Sequence, residues 1–281
     1  MGSHSMIATV GEVRGLNLNI SPGKYMCSCG QEYLSCNFWE KVEKEMKKKI
    51  SPEFRMGSLN TKFIPMSGKL LDRLQFKDLR IELLEKLRDY FYMNSKRHKA
   101  YINKKLAHCW RLAESVTEIR GKNIFFDTSK TPDAMIHLSR NLACEFKVIF
   151  LVRDGRGVLN SFIKKKIPLS ELEISKSWLS TNKKIERILK RIPNENIHTV
   201  LYKDLCLEPQ KTLRQICNFV GVEYENQCLK YWEHEHHIIG NKMRLNIKKQ
   251  IQYDESWRHT LTTQQLSLFD KIAGRYNKKW G

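Results

Sequence analysis

Residues 146–161, FKVIFLVRDGRGVLNS, constrain the fold of this 281-residue chain more than any other segment. The run Val148, Ile149, Phe150, Leu151 and Val152 is apolar throughout, as in a strand covered on both faces of a parallel sheet. It breaks at Arg153-Asp154-Gly155 and restarts as a helix carrying Val158, Leu159 and Phe162 on one face. The same alternation continues on both sides of it. Ile124-Phe125-Phe126-Asp127 reads as a strand before a helix over 132–143, and the break at 153–155 opens a helix over 155–165. A long helix follows over 171–191, then a strand over 197–202 and a helix over 209–219 closed by Gly221. Strands alternating with helices predict an α/β fold, a parallel sheet flanked by helices.

Upstream, residues 1–35 are turn-rich, with a short apolar run from Ile7 to Val10. A helix begins at Asn37 with Phe38, Val42 and Met46 on one face, and amphipathic patterns cover 72–93 and 99–119. A chain of this length suits one domain, 1–281, with 72–119 as a helical insert. Lysine and arginine number 50 against 30 acids, a formal charge of +20 that favours anionic partners. Runs such as 47–49 and 164–166 fit helix ends, where cations suit the dipole. Aromatics interleaved with basic residues, the mark of a nucleic-acid platform, are not apparent, so no specific nucleic acid is expected. No apolar stretch approaches the roughly 20 residues of a bilayer span, and the start lacks a secretory layout. The expected location is cytoplasmic.

Several segments carry chemistry. Arg153 at a strand end, followed by a helix amino terminus, combines a guanidinium fork with first-turn N–H groups, and so makes an anion site. Ser161 lies about two turns further on and its hydroxyl can point back toward that anion. Thr128, Ser129 and Lys130 follow the strand at 124–127, where lysine offers a cation and Ser129 or Thr131 a cap for the helix beyond Pro132. Gly240 permits close backbone approach beside Lys242 and Arg244. The histidines at 234, 236 and 237 invite a metal reading, but an anion loop is preferred. Cys27, Cys29 and Cys36 could hold zinc, but a fourth ligand is not evident nearby; buried thiols or a single disulfide are expected, and no metal.

The conjunction resembles the sulfotransferases that use 3′-phosphoadenosine 5′-phosphosulfate (PAPS). Arg153 and Ser161 match the segment that holds the donor's 3′-phosphate, with Gly155 where the family has proline. DTSK (127–130), YKDLCLEPQKTLRQICNFVGV (202–222) and HHIIGNKMR (236–244) resemble further family segments, in family order. The resemblance implies a P-loop-like sulfotransferase fold and sulfuryl transfer from PAPS to a hydroxyl, leaving 3′,5′-adenosine bisphosphate. Lys130 and Ser129 would face the transferring group, while Tyr202, Gly240, Asn241 and Arg244 would lie along the nucleotide. Glu12 matches the general base of tyrosylprotein sulfotransferases, with Arg14 beside it to orient the acceptor.

By the same resemblance, a glycine-rich loop cradling the 5′-phosphosulfate should precede Gly2, and no such loop stands elsewhere. The expectation is therefore a sulfotransferase-like chain without that loop. A catalytically dead relative or a basic polyanion-binding protein is the alternative. A P-loop kinase is disfavoured because no GxxxxGK(S/T) segment is present. The insert at 72–119 is expected over the acceptor cleft. The acceptor itself is open among carbohydrate, lipid, small alcohol and peptidyl tyrosine.

Overall fold

The structure is a computed structural model describing residues 1–15, 25–63, 74, 81–141, 145–240, 245 and 250–280. It divides into two compact units, one of Met1–Phe146 with Glu225–Lys249 and the other of Lys147–Tyr224 with Gln250–Gly281.

In the first unit, β1 (Ile7–Gly11) pairs in parallel with β2 (Ile124–Asp127), aligning Ile7 with Ile124 and Gly11 with Asp127. Between these strands run α1 (Asn37–Lys49), α2 (Glu82–Asn94) and α3 (Lys96–Arg120); α4 (Asp133–Asn141) follows β2. The apolar stripe of α1 buries Phe38, Trp39, Val42 and Met46 against Val10, Leu112, Val116 and Ile239. Burying each large side chain contributes about 1.5–3 kcal/mol before entropy is counted, so this cluster fixes β1 on α1 and α3. Lys47, Lys48 and Lys49 fill the last turn of α1, as cations at a helix carboxyl end should. The short Ile7–Val10 run is thus a sheet strand rather than part of a turn region.

In the second unit, β3 (Val148–Val152) and β4 (Ile197–Leu201) pair in parallel over their full length, Val148 opposite Ile197 and Val152 opposite Leu201. The crossover between them is α5 (Gly155–Lys164) and α6 (Glu171–Leu189). Ser170 caps α6 through a reciprocal box with Glu173. After β4 come α7 (Tyr202–Leu207) and α8 (Pro209–Val220), and α8 stops at Gly221 with a φ of 82°. Chain end and crossover share one core, in which Leu159, Ile174 and Trp178 meet Trp257, Leu261 and Phe269.

Gly155 explains a departure seen in the sequence. A Cβ there would stand 2.4 Å from Phe269 Cζ and 2.7 Å from Trp178 Cδ2, so any side chain must displace two buried rings. Among the described residues, no helix is long and apolar enough to cross a membrane. Gly155→Ala is expected to lower stability by about 1–3 kcal/mol through overpacking, read as a lower urea midpoint with unchanged slope.

Candidate functional site

Parallel pairing sends both strands of each pair out at one edge, and the candidate residues gather at these two edges. In the first unit, β1 ends at Gly11, whose carbonyl accepts from Thr128 N–H at 3.0 Å. Glu12 follows Gly11, and Lys130 stands three residues beyond Asp127. Lys130 Nζ donates to Glu12 Oε1 at 2.9 Å, although 118 residues separate them. Lys130 is 75 % exposed and Glu12 29 %. An ion pair so open to water is worth about 0–1 kcal/mol, so an incoming anion can detach the ammonium easily.

The turn behind the pair is rigid. Ser129 N–H donates to Asp127 Oδ1 at 2.8 Å, and Ser129 Oγ accepts from Arg14 N–H at 3.1 Å. Arg14 itself is buried, with Nη1 donating to Asp127 Oδ2 at 2.9 Å and its guanidinium over the Phe63 ring. The sequence reading turned Arg14 toward an acceptor; its charge is instead spent on Asp127, and it holds the 127–130 turn in place. Ser129 Oγ likewise serves the Arg14 backbone.

Gly240 closes the same edge. Glu12 N–H donates to Ile239 O at 2.9 Å, and a Cβ on Gly240 would sit 3.1 Å from Glu12 Cδ. Its φ of 137° is a backbone state that side chains rarely adopt. Tyr25 Oη accepts from Gly240 N–H at 2.7 Å and donates to Gly240 O at 3.1 Å. Asn241 and Arg244 lie outside the described residues.

In the second unit, Arg153 leaves the carboxyl end of β3 and Tyr202 leaves that of β4. Their side chains meet, the guanidinium carbon standing 4.7 Å from the Tyr202 ring centre. Arg153 Nη2 also donates to Asp254 Oδ2 at 3.2 Å. The Ser256 hydroxyl first, and Arg153 after it, hold the Asp254 carboxyl below its ordinary range. Burial, together with the Cys206 side chain, pushes the Tyr202 phenol up to about 12, so it stays neutral beneath the guanidinium. A Cβ on Gly157 would stand 3.0 Å from Arg153 Nε, so this glycine lets the guanidinium lie on the first turn of α5.

One expectation at this edge changes. Gly155 N–H donates to Asn277 Oδ1 at 2.8 Å and Arg156 N–H to Asp154 Oδ1 at 2.8 Å, so those first-turn amides are already engaged. What remains for an anion at this edge is the guanidinium and the positive end of the helix dipole. Ser161 lies half-buried in α5, two turns from its start.

Asp154, buried behind Arg153, organises the turn. It caps α5, accepts from the Arg156 guanidinium at 2.6 Å and from Asn277 Nδ2 at 3.1 Å. Burial opposes its charge, but Arg156 and Asn277 outweigh this and hold its carboxyl below the ordinary range. Asp254, Asn277 and the Arg14–Asp127 pair were not picked out from sequence, because nothing local marks a carboxylate or amide that waits for a distant partner.

Residues 40–226, about two thirds of the chain, match the Sulfotransferase family. The chain belongs to the sulfotransferase family. A Caenorhabditis briggsae protein provisionally named a protein-tyrosine sulfotransferase is 30% identical over 106 residues, 36% of this chain and 36% of its own length. Protein-tyrosine sulfotransferase A of Caenorhabditis elegans is 23% identical over 143 residues, 45% of this chain and 37% of its own. The chain thus spans about a third of the length of these two relatives. Among solved structures, the sulfotransferase domain from the curacin biosynthetic pathway superposes with a TM-score of 0.50 at 18% identity, covering 98% of this chain and 90% of that one. That likeness supports the sulfotransferase fold.

Asp154 gives a prediction with a definite sign. Its folded-state pKa lies below the ordinary value, so the stability it adds is complete above about pH 4 and is lost as pH falls through the folded value. Asp154→Asn should cost about 1–3 kcal/mol near neutrality, and the gap to wild type should narrow in urea melts taken at about pH 3.

Proposed function

We propose that this family member transfers a sulfuryl group from PAPS to a hydroxyl acceptor, residues 1–281 serving as one sulfotransferase-like domain. The observation that carries the reading is Arg153, delivered by β3 onto the glycine-floored first turn of α5 with Tyr202 beneath it. A phosphate dianion is the ligand that such a fork and dipole recognise. Arg153, with Ser161 further along α5, holds the donor's 3′-phosphate, and Tyr202 presents a flat neutral face next to it. Gly240, Asn241 and Arg244 keep the nucleotide-binding role that the family resemblance gives them.

PAPS supplies an activated sulfur–oxygen bond to a good leaving phosphate. The protein's residues position, stabilise charge and move one proton. Lys130, released from Glu12, neutralises the sulfonate oxygens and the charge developing on the bridging oxygen. Glu12, thereby freed, accepts the proton of the acceptor hydroxyl as its oxygen forms the new bond to sulfur. Donor arrival and base exposure are coupled, because one ion pair must open for both. Ser129 acts on this step by fixing the turn that carries Lys130.

Peptidyl tyrosine is the first acceptor to try, because that is the acceptor for which the relatives are named. The described part of the 72–119 segment leaves Leu83, Leu87, Tyr90 and Phe91 of α2 exposed, an apolar surface suited to cover an acceptor chain. A cytoplasmic setting belongs to this reading, since the cysteines of the described residues are all free thiols.

Calorimetric titration of the 281-residue chain with 3′,5′-adenosine bisphosphate, with AMP as control, tests the donor site. Binding should require the 3′-phosphate, and Arg153→Ala should weaken it by about 1.5–3 kcal/mol, on the order of ten- to a hundredfold. Equal binding of AMP would point instead to a general polyanion surface. For the chemistry, Glu12→Gln should lower kcat for transfer from PAPS to a tyrosine peptide by about 10²–10⁴ without weakening bisphosphate binding. Parallel losses of both would move Glu12 from catalysis to donor binding.

A further inference from the structure

Cys27, Cys29, Cys36 and His237 bring one potential ligand atom each to within 4.8 Å of one another. Cys27 Sγ stands 3.6 Å from His237 Nδ1, Cys36 Sγ 3.3 Å from the same nitrogen, and Cys29 Sγ 3.6 Å from Cys36 Sγ. Four ligand atoms around a tetrahedral ion with bonds of about 2.0–2.3 Å lie about 3.3–3.8 Å apart, a range that contains these three separations, and the remaining pairs stay within 4.8 Å. We propose that these four residues form a structural zinc site.

The geometry is built by three separate pieces of chain. Residues 25–33 make a tight hairpin: Tyr33 N–H donates to Tyr25 O, Cys27 N–H to Gln31 O and Gly30 N–H to Cys27 O. Gly30, with a φ of 86°, allows the turn that points Cys27 and Cys29 the same way. Cys36 is the N-cap residue of α1, so the helix start sets where its sulfur stands. His237 arrives from a loop 201 residues away, fixed by Ser28 at the hairpin tip, whose Oγ accepts from Ile238 N–H at 2.7 Å.

Around the four ligands stands the supporting shell that a metal histidine needs. His237 Nε2 lies 3.2 Å from Glu235 Oε1, so the ring can donate outward to a carboxylate and present Nδ1 inward. Phe38 stacks on the imidazole at 4.6 Å with planes 6° apart, and the Arg120 guanidinium stands over the Phe38 ring at 4.6 Å. Three thiolates and a divalent ion leave one net negative charge, which Arg120 faces. Soft sulfur with one imidazole in a closed tetrahedron selects zinc over calcium or magnesium. A Cys29–Cys36 disulfide is the rival, but it would leave Cys27 and His237 converging on nothing.

The ion would tie the hairpin, the start of α1 and the 236–240 loop to one point. Gly240, held by Tyr25 at the foot of the hairpin, is three residues from His237. Zinc therefore fixes the loop against which Glu12 rests, without touching reactants.

Metal content decides the matter on the full chain, reduced and purified without added metal or chelator. Mass spectrometry should find about one zinc per chain. After exchange, cobalt(II) should give the intense visible bands of a tetrahedral thiolate site. Cys36→Ser and His237→Gln should each lose the metal, while Cys206→Ser, in the other unit, retains it. A wild-type chain without stoichiometric metal, an octahedral cobalt spectrum, or a Cys29–Cys36 disulfide under non-reducing digestion would overturn the site. The wild-type readings need no variant to fold, and none depends on donor binding or turnover.

Discussion

Parallel pairing is the constraint on which the rest of this molecule depends. Two parallel strands must release their chains at the same edge, so residues remote in sequence become neighbours there without any local signal. Glu12 and Lys130 meet because Gly11 and Asp127 end one pair together; Arg153 and Tyr202 meet because Val152 and Leu201 end the other. The chemistry at each edge is a product of register. A one-residue slip in either pair would turn these side chains to opposite faces.

Behind each edge stands a packing arrangement that leaves little freedom. At the β3 edge the helix begins against two buried rings, and the Asp154 carboxylate gathers Arg156, Asn277 and the helix start into one buried network. At the β1 edge the Arg14–Asp127 pair and Ser129 fix the turn, and a glycine backbone lies against the Glu12 carboxylate. Of the candidate contact groups Lys130 is exposed and Glu12, Arg153 and Tyr202 are half-buried, while Arg14, Asp154 and Asn277 behind them are buried. This division is what a preorganised site requires, because exposed side chains alone would spend binding energy on ordering themselves.

Much of the second unit was legible in the sequence because its signals are local. The continuous apolar run of β3, the 3.6-residue stripes of α5, α6 and α8, and Gly221 after α8 all act within one or two turns of chain. β1 was harder: a four-residue run, Ile7, Ala8, Thr9 and Val10, in a turn-rich stretch becomes a strand only through a partner more than a hundred residues away. Arg153 and Lys130 stood out because each follows a strand end. Arg14 misled, since a charged residue beside a candidate base suggests exposure, and its buried carboxylate partner lies 113 residues on. His237 was weighed for a metal in the sequence but not joined to Cys27, Cys29 and Cys36, because those neighbours in space stand near the other end of the chain.

The two candidate cations share a trait with a consequence for selectivity. In a chain of formal charge +20, each already has a carboxylate of its own, Asp254 for Arg153 and Glu12 for Lys130. An incoming anion does not meet a bare positive charge; it must displace a resident one. A chloride or a lone carboxylate offers little more than the group it would replace. A phosphate dianion brings more charge and more acceptor oxygens, and so gains more from the exchange than weaker anions do. On the proposed function, these resident carboxylates tilt each site by up to about 1 kcal/mol toward ligands of higher charge density.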